Sequence, residues 1–468
     1  MRSRLLVSLG AFGRDRRGSF AVIFALSALV MFATLGLGID YWFALNDKTR
    51  ANAAADAAGI AAVNAAKTYY AANSGSLGAT DLANGAIAAG EAQGVKAFAV
   101  NLGSSDVAPT LASSTTVAYN NLQFTATVAY SGQSNAYFGN LLGVHSYAIA
   151  GTSISVGGLP KYLDFYIVTD LSGSMGIPTS AADQQTLIQT NPDNAIEAAN
   201  YPTGCQFACH YSGYSGFAYT QNVGLKLKLN DVGNAISALI ATANNTKIIT
   251  NQFRIGMYGF IVNAAQLSAL SSNFSSATSV ANNLANYIDN GTYNNGMGAG
   301  GTHFENIWSG IGGDFNTPGT GLSSSSTVPF VILVTDGADN SQTYYPQNSF
   351  TGSWPQLPDT TDVSGFCGKA KHAGYTVAVL LIPYNPIVNA QPIWNYEDGA
   401  VNYLVDPTTY PAPPSPYEPT VPTGDNLSVN MQSCANPGYF FSAATSAQIN
   451  TAMQTIFYQA VASTRMTQ

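Results

Sequence analysis

The stretch LDFYIVTDLSGS, residues 163–174, decides the fold. A mostly apolar run leads into an aspartate and then into a turn of serine and glycine, as expected for a buried parallel strand that ends at a binding loop. Three further apolar runs follow: FRIGMYGFIV at 253–262, PFVILVTDG at 329–337 and YTVAVLLIP at 375–383. Helix-like stretches separate these runs. The alternation predicts a doubly wound, mostly parallel α/β domain over residues 161–468.

The turn after the first of these strands has a D-x-S-x-S pattern, formed by Asp170, Ser172 and Ser174. Carboxylate and hydroxyl oxygens on alternate residues of such a turn converge on one point, which suits a hard cation such as Mg²⁺. Aspartate and serine are also common turn residues, so the same pattern is compatible with an ordinary turn.

Two more segments extend the pattern: Gly300-Gly301-Thr302 before a predicted helix, and Thr335-Asp336-Gly337 at the end of a strand. In order and context, residues 162–464 resemble von Willebrand factor A (vWA) domains with a metal-ion-dependent adhesion site. The resemblance implies Mg²⁺ or Mn²⁺ held by hydroxyls of Ser172, Ser174 and Thr302, with Asp170 and Asp336 bound directly or through water. It also implies a partner carboxylate as the last ligand, hence binding rather than catalysis; the alternative is a set of turn and capping residues in an unrelated fold.

An uncharged apolar segment, SFAVIFALSALVMFATLGLGI, precedes this domain and predicts a transmembrane helix at residues 18–39. The preceding segment, residues 1–17, is basic, and Asp40 follows the span. This asymmetry predicts a single-pass protein of the inner (cytoplasmic) membrane, with its N-terminus in the cytoplasm and its bulk in the periplasm or at the cell surface. A cleaved signal peptide is the alternative. The basic residues are Arg2, Arg4, Arg14, Arg16 and Arg17.

An alanine-rich stretch at residues 40–67 predicts a helical extension of the span. The run RRGSFAVIFAL, together with Asp40, Arg50 and AADAA at 54–58, resembles the N-terminal segment of TadG-like proteins of Tad/Flp pilus assembly. This resemblance covers residues 14–66 and implies pilus or secretion machinery as partners. Ile23 stands where a prepilin cleavage site would have Glu, so prepilin processing is not expected.

Residues 68–160 combine helix-like and alternating strand-like pieces, which predicts a small α+β unit. Only 9% of the whole chain is charged, and five of its seventeen basic residues precede the span. The remainder is strongly acidic, so nucleic acid is not expected as a partner.

Four cysteines follow the span, and an even number in an extracytoplasmic chain predicts two disulfides. Cys205 and Cys209 are separated by three residues, one more than in c-type haem attachment, so a local disulfide is the preferred interpretation. The resemblance to bacterial A domains implies that Cys367 pairs with Cys434.

Taken together, these features predict a non-enzymatic envelope protein of pilus assembly or adhesion that binds a partner carboxylate through its metal. A structural scaffold whose metal site is not used is the alternative, and a chelatase-like enzyme subunit is disfavoured by the export signal. Insertions at about 176–222, 338–361 and 384–427 leave strand ends and are expected to surround the metal. Gly296, Gly298 and Gly301 spell G-x-G-x-x-G without a preceding strand, and His303 is expected to begin a helix.

Overall fold

The protein is described from a computed structural model. The structure describes residues 18–103, 111–352, 356–360, 365–387, 397–412 and 426–464. The basic segment before residue 18 therefore lies outside the described residues. The chain divides into two compact units, which meet in sequence at Leu159 and Pro160.

The first unit consists of two helices and an antiparallel sheet with the order β1-β2-β3. The long helix includes the predicted span and continues beyond Lys67 to Asn73. Its elements are α1 (Gly18–Asn73), α2 (Ala79–Leu102), β1 (Ala112–Asn120), β2 (Gln123–Asn135) and β3 (Ser146–Gly158).

Small side chains let α1 pack closely against its neighbours. The alanines at 51, 54, 55 and 58 follow helical spacing and are fully buried against Phe98 of α2 and Tyr130 of β2. A Cβ atom on Gly90 would lie 2.9 Å from the carbonyl oxygen of Ala62, so a larger residue would separate the two helices. The helical extension and the α+β residues therefore share one core.

The first part of α1 has the properties of a single-pass membrane anchor. Among the described residues, one helix is long and apolar enough to cross a membrane, with a mean hydropathy of 2.4 over its most apolar window. Only 6% of that window is buried inside the protein, and Phe20, Leu29 and Phe32 are well exposed. Apolar side chains exposed over this length match a lipid environment.

The second unit contains the α/β domain. Its strands are β4 (Leu163–Asp170), β5 (Phe253–Phe260), β6 (Ala264–Ser271), β7 (Val328–Thr335), β8 (Thr376–Leu381) and β9 (Phe440–Ser442). Its helices are α3 (Ala181–Thr190), α4 (Asn194–Glu197), α5 (Gly216–Val223), α6 (Lys228–Thr246), α7 (Ser275–Asn282), α8 (Phe304–Ile311), α9 (Phe366–His372), α10 (Glu397–Val405), α11 (Asn426–Cys434) and α12 (Ser446–Ser463).

The six strands form one sheet with the order β6-β5-β4-β7-β8-β9. β6 is antiparallel to β5, and the other neighbouring pairs are parallel. Counted within the domain, this is the order 3-2-1-4-5-6 of doubly wound folds. The predicted fold class is confirmed. The strand order reverses between β4 and β7, which places a crevice at the carboxyl ends of these two strands.

Helices cover both faces of this sheet. Buried side chains of α6, α7 and α12 pack on one face, and those of α8, α9 and α11 pack on the other. On the second face, the disulfide between Cys367 and Cys434 joins α9 to α11. The bond closes a loop with a sequence separation of 67 residues, so it restricts the unfolded chain.

The predicted Cys205–Cys209 disulfide is absent from the structure. Both residues are thiols, and their sulfur atoms lie 3.9 Å apart, whereas a disulfide requires about 2.05 Å. The four-residue spacing brings the two cysteines together without bringing the sulfur atoms into bonding distance.

The insertions differ from the expected loops because the first contains α3, α4 and α5. Side chains from all three insertions also share a small apolar cluster of their own. It is formed by Ile177, Tyr201, Cys205, Ala338, Tyr384, Ile387, Val401, Leu404 and Leu427. Because β4, β7 and β8 are parallel, the insertions that follow them emerge at the same edge of the sheet.

Candidate metal centre

Asp170 is the last residue of β4 and is completely buried. Its Oδ1 atom accepts a hydrogen bond from the backbone N–H of Ser172 (2.9 Å), and its Oδ2 atom accepts one from Thr335 Oγ1 (2.7 Å). The carboxylate is therefore fixed to its own turn and to the end of the neighbouring strand β7.

The hydroxyls of the D-x-S-x-S turn lie together. Ser172 Oγ and Ser174 Oγ are 3.2 Å apart, and a single 3₁₀ turn, Gly173–Gly176, follows Ser172. The structure thus places the two predicted hydroxyl ligands next to each other in the turn that follows Asp170.

Asp336 follows β7 and is also buried. Its Oδ2 atom accepts a hydrogen bond from Lys228 Nζ at 3.0 Å, in an ion pair that is almost inaccessible to solvent. Its Oδ1 atom is buried and has no hydrogen-bond partner within the described ranges. A buried carboxylate oxygen without a partner is costly, so this atom is suited to a cation or a polar ligand.

The backbone of Thr302 is hydrogen-bonded to the segment that follows Asp336. Its N–H donates to the carbonyl of Asn340 (2.8 Å), and the N–H of Asn340 donates back to the carbonyl of Thr302 (2.9 Å). The side chain of Thr302 is buried. The glycine-rich loop is thereby paired with the segment that follows Asp336.

A third buried carboxylate, that of Asp289, accepts hydrogen bonds that shape the glycine-rich loop. It accepts hydrogen bonds from the backbone N–H groups of Gly300 (2.6 Å) and Gly291 (3.0 Å) and from the hydroxyl of Tyr211 (2.8 Å). Tyr211 belongs to the first insertion, and its ring lies 5.1 Å from that of Tyr344 in the second. Two insertions therefore meet at the loop that positions Thr302.

His303 precedes α8 and supports the loop from the other side. Its Nδ1 lies 2.8 Å from a carboxylate oxygen of Glu305, and its Nε2 lies 2.7 Å from the carbonyl oxygen of Gln342. An ionised carboxylate and a carbonyl oxygen both accept, so this geometry favours the form of the ring that carries two N–H groups. Burial lowers the pKa of His303, but the hydrogen bonds to Glu305 and Gln342 outweigh it and raise the pKa. His303 thus lies at the start of α8 and is hydrogen-bonded to the second insertion through Gln342.

The two buried carboxylates of the centre repel each other. Burial, and after it the charge of Asp336, raises the pKa of Asp170 to about 7. One ammonium, that of Lys228, contacts one oxygen of Asp336. Additional positive charge would therefore stabilise the ionised form of the pair.

The donor set fits a hard divalent cation. Two carboxylates and several hydroxyls are the ligands that Mg²⁺ and Mn²⁺ prefer, and an open carboxylate oxygen is available. In the part of the chain that the structure describes, no group of three or more His, Cys, Asp or Glu side chains is arranged to hold a metal. If a cation binds, it supplies Lewis acidity toward an anionic oxygen, and the protein supplies its position.

Sequence reasoning missed Lys228 and Asp289. Lys228 lies 108 residues from Asp336 in sequence and occurs in the alternating run LKLKLND, which gives no indication of an ion pair. Asp289 has one usable signal, the D-N-G turn pattern at 289–291.

Comparison with known proteins finds a family match for the N-terminal region. Residues 18–66 match the family model of putative Flp pilus-assembly TadE/G-like proteins. No curated protein is similar enough in sequence to match the chain. The N-terminal region is thus TadE/G-like, and the second unit is a doubly wound α/β domain.

Solved structures with a similar fold include proteins of bacterial pili. The chain is 12% identical to the SpaC pilus adhesin of Lactobacillus rhamnosus GG, with a TM-score of 0.33 over 75% of this chain and 34% of the adhesin. It is 10% identical to the PilB minor pilin of Streptococcus sanguinis, with a TM-score of 0.32 over 75% and 77%. It is 12% identical to the vWF domain of a type V pili tip protein of Porphyromonas gingivalis, with a TM-score of 0.32 over 65% and 96%.

No conclusion about this chain is based on these similarities, and its doubly wound fold is established by the strand order. The chain spans about a third of the length of the SpaC adhesin.

Proposed function

We propose that the chain is a membrane-anchored extracytoplasmic protein of Tad/Flp-type pilus assembly or adhesion that captures a partner carboxylate through a divalent cation. Mg²⁺ or Mn²⁺ would be held by Asp170, Ser172, Ser174, Thr302 and Asp336. The observation that carries the proposal is the buried Oδ1 atom of Asp336, which lacks a hydrogen-bond partner within the described ranges. It lies in the crevice where the strand order reverses, the place at which open α/β sheets bind ligands.

The partner in this proposal is a protein that offers an acidic side chain, and components of the pilus or secretion machinery are the first candidates. The two described insertions that meet at the glycine-rich loop would form part of the recognition surface. Tyr345 and Phe350 of the second insertion are exposed there, and aromatic side chains dominate interface hot spots. Trp354, Trp394 and Tyr396 of the insertions are further aromatic residues that we propose for this surface, and they lie outside the described residues.

The inner membrane is the proposed location, with the N-terminus in the cytoplasm. The arginines before the span support this orientation, because positively charged flanks remain on the cytoplasmic side. The Cys367–Cys434 disulfide supports an oxidising compartment for the α/β domain.

A structural scaffold without metal-dependent capture is a second candidate, and the Lys228–Asp336 ion pair favours it. An ammonium 3.0 Å from Asp336 already offsets part of the negative charge. If that pairing were sufficient, the domain would be stable and functional without a divalent ion.

Manganese binding by the full-length chain in detergent micelles separates the two candidates. We expect electron paramagnetic resonance titration to show one Mn²⁺ site, which Asp170→Ala abolishes because the variant lacks a central carboxylate. Asp314→Ala is the matched control, since it removes an exposed acid of the same domain. Equal binding by wild type and Asp170→Ala, or no binding by the wild type, would refute the metal-dependent function and leave the scaffold.

A further inference from the structure

The turn between β2 and β3 is unusually apolar for an exposed loop. Its sequence at 137–142 is YFGNLL, and it includes the 3₁₀ turn Gly139–Leu142. Tyr137, Phe138 and Leu142 are exposed, and Leu141 is 87% exposed. Loop tips in water are normally polar, so a continuous apolar tip indicates a surface that contacts something apolar.

A buried carboxylate ties this turn to the end of the membrane helix. Asp40, the first residue after the apolar span, is completely buried. It accepts hydrogen bonds from the backbone N–H groups of Tyr137 (3.0 Å), Phe138 (2.9 Å) and Gly139 (2.6 Å). Three hydrogen bonds to the Asp40 side chain fix the position of the turn along the helix axis.

The turn also contacts the span itself. A Cβ atom built on Gly36 would lie 2.7 Å from Cβ of Phe138, so Phe138 packs on the helix about one turn inside the uncharged segment. The span of residues 18–39 is about as long as a hydrocarbon core is thick. Phe138 therefore lies near the end of the apolar segment that is followed by Asp40, and Leu141 and Leu142 are exposed close to it in the same turn.

Aromatic side chains surround the same level of the helix. Tyr41, Trp42 and Phe43 are exposed directly after Asp40, and the ring of Phe43 lies 5.9 Å from that of Tyr137. Tyrosine and tryptophan are enriched at membrane interfaces, where an apolar ring and a polar tip are both accommodated.

We propose that the turn at residues 137–142 is a second membrane contact, held by Asp40 so that Phe138, Leu141 and Leu142 enter the headgroup and acyl boundary of the lipid. The α+β unit is then attached to the bilayer at two points. A single helix leaves the body free to tilt and rotate, whereas two contacts fix the direction in which the unit leaves the membrane.

The test is photocrosslinking to lipid in the full-length chain reconstituted into phosphatidylcholine liposomes. Benzoylphenylalanine replaces Leu141, and separately replaces Ile154, which is 66% exposed on β3. Ile154 adjoins Ser153, which hydrogen-bonds to Asp56, about 24 Å along the helix from Asp40. We expect at least about fivefold more lipid adduct at 141 than at 154, with the label at Phe32 in the span as the reference for insertion.

Asp40→Ala tests whether Asp40 holds the turn in place. Asp47→Ala is its control, because Asp47 lies on the same helix but accepts its hydrogen bond from Ser134 Oγ (2.7 Å) on β2. We expect Asp40→Ala to lower the adduct at 141 while the adduct at Phe32 is unchanged, and Asp47→Ala to leave both unchanged. Equal adducts at 141 and 154, or crosslinking of 141 to a second copy of the chain in place of lipid, would overturn the proposal. An adduct at 141 that survives Asp40→Ala in full would overturn the role of Asp40.

Discussion

At each end of the parallel strands of the α/β sheet, which we call the amino edge and the carboxyl edge, a buried aspartate forms an ion pair, and the two pairs differ in how completely the carboxylate is bonded. At the amino edge, Arg254 binds Asp164 through Nε and Nη2, both at 2.7 Å, and Thr327 also donates to this carboxylate. At the carboxyl edge, Lys228 makes one contact with Asp336 and leaves the other oxygen open. A fork-shaped guanidinium satisfies a carboxylate, whereas a single ammonium leaves it able to accept a further ligand.

The two edges also differ in the number of buried acidic residues. Asp164 faces one guanidinium, whereas Asp170, Asp336 and Asp339 are all buried near the carboxyl edge. Burial raises the pKa of Asp339 to about 8, and the charge of Glu305 adds to this shift. The amino edge is closed and structural, whereas the carboxyl edge has the excess of acid expected of a cation site.

Lys228→Met should give the largest effect, because it leaves the buried carboxylate of Asp336 without its ammonium partner. In EDTA we expect a loss of about 3–5 kcal/mol in the free energy of unfolding, the usual cost of breaking a buried ion pair. Mn²⁺ should restore much of that loss, since a bound cation stabilises the folded state by mass action. Chemical unfolding in micelles, with and without Mn²⁺, measures both quantities.

Lys226→Met is the control for this variant, because it removes an exposed lysine two positions away. It should change neither quantity appreciably. A loss of stability in Lys228→Met that Mn²⁺ does not reduce would show that the ammonium and the cation do not act on the same carboxylates.

Arg254→Met should have a smaller effect at the amino edge. Asp164 keeps its hydrogen bonds from Thr327 and Asn316, so we expect a loss of about 2–3 kcal/mol. The variant leaves Oδ1 of Asp164 without its Arg254 partner, but the D-x-S-x-S turn lies at the opposite ends of the strands, so Mn²⁺ should leave the difference from wild type unchanged. Lys247→Met, at an exposed position, is the matched control. Rescue of Arg254→Met by Mn²⁺ beyond the wild-type increment would remove the distinction between the two edges.

The sequence predicted the parts of this arrangement that depend on local pattern. Continuous apolar runs identified the buried strands β4, β5, β7 and β8, because a parallel strand covered on both faces needs apolar residues throughout. β6 was missed because its sequence, AAQLSALS, is only partly buried in an edge strand. The D-x-S-x-S turn was identifiable because its geometry is set within five residues.

What could not be predicted depends on tertiary contacts. The pairing of Lys228 with Asp336, and the three N–H groups gathered by Asp40, join residues about a hundred positions apart. The open oxygen of Asp336 is likewise a property of the packed structure. The positions of the aspartates in the sequence were therefore predictable, whereas the number of carboxylate oxygens that find a partner in the fold was not.

The smallest expected effect concerns Asp339, whose Oδ1 is buried without a hydrogen-bond partner in the described part of the chain. Its pKa is about 8 in the folded state and near 3.8 in the unfolded state. Between these values the folded chain binds more protons than the unfolded chain, so this group makes stability fall as pH rises from about 4 to 8. Asp339→Asn should therefore reduce the loss of unfolding free energy between pH 5 and 8, by about 1–2 kcal/mol in EDTA after allowance for relaxation of the loop. Asp170 also has a raised pKa and contributes with the same sign, so the variant keeps a residual dependence of stability on pH. Asp314→Asn is the control and should match wild type. The same dependence of stability on pH in wild type and Asp339→Asn would contradict an excess of buried acid at this edge.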